Sequence, residues 1–125
     1  MVRRVAGLTV FLSVACACAL MAAEKKEEKI TKRSIKEVMK LAHKPPANLL
    51  RKVAQGKASK EEKEELVKLY KALAQNKPPR GEKADWDKRT AALTLAAEAA
   101  VKGDKDAGKK LTKAGDCMTC HKAHK

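Results

Sequence analysis

SKEEKEELVKLYKALAQN, residues 59–76, decides the fold. Ser59 followed by Glu62 makes a capping box, in which hydroxyl and carboxylate satisfy each other's free backbone N–H groups. Behind it Leu66, Leu69, Tyr70 and Leu73 recur three and four residues apart, the spacing of one helix face. Lys77-Pro78-Pro79-Arg80-Gly81 then ends the helix in a loop. On the C-terminal side, Asp85 is expected to cap a helix running to about Lys102, with Trp86, Thr90, Leu93, Ala97, Ala100 and Val101 on its inner stripe. Gly103-Asp104 breaks it. A last helix is expected from about Lys105 into the C-terminus, carrying Leu111, Ala114, Cys117 or Met118, and His121 on one side. On the N-terminal side, Ile35, Val38, Met39 and Ala42 mark a helix over 31–44, stopped by Pro45-Pro46 because the residue before a proline leaves the helical region. A short helical piece over 48–55 ends at Gly56. No segment alternates like a strand and no long repeat is present. The pattern predicts an all-α chain, an antiparallel four-helix bundle with short connections.

The chain starts Met1-Val2-Arg3-Arg4, continues uncharged and mostly apolar from Val5 to Met21, and passes through Ala22-Ala23 into a charged stretch at Glu24. Basic start, apolar run and small-residue exit are the pattern of an export signal, expected over residues 1–23, with a domain over 24–125. Cys16 and Cys18 lie inside it. A lipoprotein cysteine would have Leu three residues ahead; Ser13 and Ala15 stand there instead. Cleavage leaves two of the four cysteines and lowers the formal charge from +14 to +12 with the loss of Arg3 and Arg4. The periplasm is the expected destination.

Composition sets two further bounds. Only Phe11, Tyr70 and Trp86 are aromatic besides the histidines, which makes a thin core for one small domain; a cofactor, metal or partner chain is expected to support it. The positive charge attracts acidic proteins, anionic membrane surfaces or nucleic acid. Most of it is interleaved with Glu along helices, as on a solvated surface. Export and the lack of stacking aromatics argue against nucleic acid.

Cys117-Met118-Thr119-Cys120-His121 is a C-x-x-C-H motif, the signature of c-type haem attachment. Residues three and four apart share a helix face, so both thiols can reach vinyl groups along one side of a porphyrin, and His121 can offer an imidazole nitrogen to the iron. A disulfide oxidoreductase would place C-x-x-C at a helix start near a βαβ unit with a lowered thiol pKa. A zinc site would need neighbours Cys120 and His121 in one tetrahedron with Cys117 and His124. A structural disulfide is the remaining alternative. An exported chain with a C-terminal motif in an all-helical pattern favours haem c.

With that motif at the end of four helices, the chain resembles the class II c-type cytochromes, the group of cytochrome c′ and its low-spin relatives. Their tail commonly continues with two or three residues, an aromatic and a basic residue; His124 and Lys125 stand there. The resemblance implies that Lys125 lies near the haem. Low-spin members supply a Met from the first helix as sixth ligand, and the stretch Ile35–His43 implies Met39 in that role, with Arg33 as the basic residue before it. His43, four residues on, is a second candidate. The chain is richer in lysine than the family, and its first helix, cut by Pro45-Pro46, is shorter. A closed iron implies a one-electron carrier with acidic redox partners; an open one implies a binder of nitric oxide or carbon monoxide. The family implies a monomer or homodimer, and no enzymatic activity is expected.

Overall fold

The structure, a computed structural model, describes residues 32–125. The export signal expected over 1–23, with Cys16 and Cys18, lies outside the described residues. The described chain is helical throughout: α1 (Ile35–Ala42), α2 (Leu49–Ala54), α3 (Lys60–Ala74), α4 (Lys83–Val101), α5 (Ala107–Ala114) and α6 (Cys117–His124).

Local chemistry sets most of the ends. Ser59 and Glu62 form the expected capping box at α3. A second one starts α1: Ser34 Oγ accepts the Glu37 N–H at 3.2 Å, and Glu37 Oε2 accepts the Ser34 N–H at 2.8 Å. The first helix therefore begins at Ile35, four residues later than its apolar pattern suggested. Asn48 caps α2 in the left-handed conformation, φ 35°. Asp85 does not cap α4. That helix starts two residues earlier behind Glu82, with no side-chain cap, which leaves the Asp85 carboxylate for other partners.

The α3–α4 pair forms the centre, α1 and α2 pack on α3, and α5 packs on α4 and α2. Leu66, Leu69, Tyr70 and Leu73 of α3 are all buried, as their spacing predicts. Opposite them lie Trp86, Leu93, Ala97 and Ala100 of α4, with Val38, Ala42 and Leu111 closing the cluster. Val101, expected on the inner stripe, is instead 37% exposed at the end of α4. Thr90 is buried without cost to its hydroxyl, which donates to the Trp86 carbonyl at 3.0 Å. Small side chains at Ala96, Ala97 and Ala100 let neighbouring helices approach closely, but they contribute little buried area each. Among the described residues no helix is long and apolar enough to cross a membrane.

The expected last helix is two. Gly115 and Asp116 interrupt it, and α6 restarts at Cys117. A Cβ on Gly115 would stand 2.4 Å from Leu50 Cδ1 and 2.9 Å from the Leu111 carbonyl oxygen. A Cβ there would require the Leu50 side chain to shift away, so glycine lets this turn sit close to α2.

Candidate functional site

Asp116 builds the start of α6. Its Oδ1 accepts the backbone N–H of Met118 at 3.1 Å, and the Thr119 hydroxyl donates to its Oδ2. These bonds, led by those from Thr119, hold the Asp116 carboxyl below the usual carboxylate range. Cys117 is thus the first residue of α6, with Cys120 one turn on, and both thiols are free. A helix start is where C-x-x-C acts in thiol–disulfide chemistry. Two observations count against that use: burial pushes the Cys120 thiol up, and the described residues contain no strand.

The two cysteines face a cleft of about 190 Å³ between α1, α4 and α6. Met39 and His43 line it from the end of α1, and Cys117, Cys120 and His121 line it from α6. Leu73, Trp86 and Leu93 supply apolar walls. A second cleft of about 390 Å³ abuts it, sharing Met39, Trp86, Cys120 and His121. That volume lies in the roughly 300–1,000 Å³ range of small-molecule sites. Lys36, Lys44 and Lys125 stand around it.

His43 is the half-buried polar group of the α1 wall. Its Nε2 lies 3.5 Å from the Tyr70 hydroxyl, with ring centroids 5.8 Å apart. Burial lowers its pKa, and the charge of His121 across the cleft lowers it further. Burial also pushes the Tyr70 phenol far above its ordinary range, with the nearby Cys117 thiol adding to the effect. Both side chains therefore stay neutral near pH 7. Met39, one turn before His43, has no such partner among the hydrogen-bonded groups.

A clamp fixes the far end of α6. His124 is 3% exposed. Its Nδ1 lies 3.0 Å from the Arg80 carbonyl oxygen and its Nε2 2.8 Å from Asp85 Oδ2. Both ring nitrogens thus face an acceptor oxygen. Hydrogen bonds from Arg89 and then His124 hold the Asp85 carboxyl low. Trp86 meets the His124 ring edge-on at 5.3 Å, and Arg80 Nη2 donates to the Lys122 carbonyl at 3.3 Å. The 77–81 loop thus grips α6 from outside.

Cys117, Cys120, His121 and Met39 are brought together; Arg33 is not. Its guanidinium pairs with Glu65 at 3.0 Å beside a separate depression on α1 and α3. Lys36, Lys44 and Lys125 are the lysines of the larger cleft, and Arg89 with Lys44 lines the smaller one. Sequence reasoning gave no role to Lys36 or Lys44, took Trp86 as core alone and took Asp85 as a cap. The Trp86 indole N–H is buried and has no hydrogen-bond partner, alone in this among the buried side-chain groups described. No three His, Cys, Asp or Glu side chains converge on a bare-ion site among the described residues. No family model, curated protein or solved structure matches the chain.

Proposed function

We propose that the chain is an exported c-type cytochrome, an antiparallel four-helix bundle that carries one electron on a haem bound through Cys117 and Cys120. The observation that carries the reading is the shared cleft: two free thiols one helical turn apart, His121 beside them, and Met39 on the facing wall.

The residues present suit the group. A haem is flat and largely apolar, and Leu73, Trp86 and Leu93 offer apolar walls. It carries two carboxylates, and Lys36, Lys44 and Lys125 stand at the mouth. The orphaned Trp86 N–H would find an acceptor in such a ligand; left unpaired it costs about 1–3 kcal/mol.

Each residue has a separate task. Cys117 and Cys120 would hold the ring through their sulfurs. His121 would offer an imidazole nitrogen to the iron, and Met39 its thioether sulfur from α1. His43 serves less well as the second donor, because Tyr70 engages its Nε2. The bound haem supplies a one-electron iron couple, whose potential rises with His/Met ligation. Asp85, Arg80 and His124 hold α6, and with it His121, in place.

The experiment is expression with export in a host that matures c-type cytochromes. The expected result is a covalent haem that survives denaturing electrophoresis and disappears in Cys117→Ala with Cys120→Ala. A reduced spectrum with sharp bands, unchanged by carbon monoxide, indicates closed iron. A broad spectrum that shifts with carbon monoxide replaces the carrier with a five-coordinate gas-binding protein. An exported chain without covalent haem ends both readings.

A further inference from the structure

We infer that the groove between α4 and α5 is the docking face for an acidic redox partner protein, a step that rests on the electron-carrier reading. The groove measures about 580 Å³. Its floor is a second apolar stripe on α4: Ala92, Leu95 and Ala99, three and four residues apart. The inner stripe of the same helix is already spent on the core; of this one Ala99 packs partly against the core, and Ala92 and Leu95 are left exposed. Leu95 is 66% exposed.

The rim is basic. Lys88 and Arg89 edge the groove on α4, and Lys110 and Lys113 edge it on α5. Arg89 is committed to Asp85 at 2.6 Å and Lys110 to Asp104 at 2.6 Å. Among the described residues Lys88 and Lys113 have no ion pair, so their charge is available to a partner. An apolar centre within a charged rim is the anatomy of a protein interface.

Charge and shape choose the occupant. A second copy would set basic rim against basic rim, on a chain at +12 once the expected export signal is removed. A concave groove does not match a bilayer surface. A convex apolar knob ringed by carboxylates matches both floor and rim. Position identifies the partner's business. Arg89 and Ala114 line this groove and also the cleft that holds Cys117 and Cys120. The Arg89 guanidinium lies near enough to Cys120 and Asp116 for their charges to raise its pKa, after the larger effect of Asp85. A protein seated here therefore stands directly behind the wall of the cleft, where a one-electron partner gains from standing. Electrostatic steering by the rim would then set the encounter rate.

The test uses reduced plant-type ferredoxin, an acidic one-electron donor, against the haem-loaded protein. Three forms are compared at low salt: unaltered, Lys88→Glu with Lys113→Glu, and Lys57→Glu with Lys60→Glu as a control of equal charge change outside the groove. The groove pair should slow the second-order rate at least about tenfold more than the control pair and flatten its salt dependence. Leu95→Asn should weaken the complex with little change in encounter rate. Amide NMR with ferredoxin, which needs no haem, should show shifts concentrated at residues 88–99 and 110–114. Equal slowing by both pairs, or shifts scattered over other lysines in a haem-bearing chain, overturns the groove and leaves the carrier reading intact. Vesicles of anionic lipid that shift these residues when ferredoxin does not also overturn it. A chain without haem that still takes ferredoxin through the groove sinks the carrier reading and keeps the docking face.

Discussion

Gly81→Ala measures how firmly the 77–81 loop holds α6. Gly81 has φ 86°, where a residue with a Cβ costs roughly 1–2 kcal/mol. A Cβ there would also stand 2.5 Å from the Ala123 carbonyl oxygen and 2.7 Å from His124 Nδ1. Neither neighbour is the loose end of a flexible side chain: one is backbone, the other is a ring pinned at both nitrogens. The end of α6 must move, and the His124–Arg80 bond goes with it. Losing a partner of a buried polar group costs about 1–3 kcal/mol. The sum, about 2–5 kcal/mol, is a large share of the roughly 5–15 kcal/mol that holds a small domain. At roughly 4–8 °C per kcal/mol for a domain of this size, Tm should fall by about 8–40 °C. Gly56→Ala is the matched control. Its φ is 70°, with nothing within 4 Å of the added Cβ. It carries the backbone strain alone, and both variants share the same gain from a stiffer unfolded chain. Circular dichroism melts of the two variants isolate the clamp as their difference. Equal Tm losses would refute the reasoning, because α6 would then yield to the intruding methyl without cost.

Three other outcomes follow from the site. Met39→Ala should turn a spectrum indifferent to carbon monoxide into one that responds to it; an unchanged spectrum makes Met39 packing only. His43→Phe should remove an acid sensitivity: burial lowers the folded-state pKa of His43, so between its ordinary value near 6.5 and the folded value the unfolded chain takes up the proton first, and stability falls as pH falls. Urea midpoints from pH 7 to 5 should drop less in the variant, and parallel slopes would contradict this. Asp85→Asn should remove a loss at lower pH. The Asp85 carboxyl is held low by Arg89 and His124, so its contribution is present above the ordinary carboxylate value and disappears as pH falls through the folded one. The variant should be less stable at pH 7 and show a flatter acid limb, measured by urea unfolding from pH 5 to 2.

What could be read along the chain depended on whether the signal was local. Ser59 and Glu62 announce α3 because a capping box closes within one turn, and Leu66, Leu69, Tyr70 and Leu73 are buried because spacing alone puts them on one face. Ser34-x-x-Glu37 carries the same signal and was readable, but the apolar spacing drew the helix start back into a charged lead-in. Asp85 could not be assigned this way. A carboxylate near a helix start reads as a cap, and its use by His124 depends on a residue 39 positions away. The break at Gly115–Asp116 was similarly hidden. Lys105 to Lys125 keeps a helical pattern, and the close approach of Leu50 from α2 to Gly115 at the turn is a tertiary contact. The motif cysteines were legible as chemistry. Their meeting with Met39 in one cleft is a tertiary fact, as is the placing of Arg33 elsewhere.

Helix α4 explains why site and groove are neighbours. Its inner stripe, from Trp86 through Leu93 to Ala97 and Ala100, closes the core against α3. Its first turns meet α6, where Asp85 takes His124 and Trp86 lies between the two clefts. Its remaining apolar stripe, at Ala92, Leu95 and Ala99, meets only the edge of α5. A helix apolar around most of its circumference is ordinarily buried on all sides. This one is buried on two faces and open on the third, and Arg89 sits where the open face and the cleft meet. The alanines that make the core thin are the same ones that let α4 serve three neighbours at once. A bulkier helix would fill the cleft or wedge α5 away. The low apolar volume noted in the sequence is therefore better understood as space on either side of α4, a cleft against Trp86 that the proposed haem would use and a groove against Leu95 that the proposed partner would use.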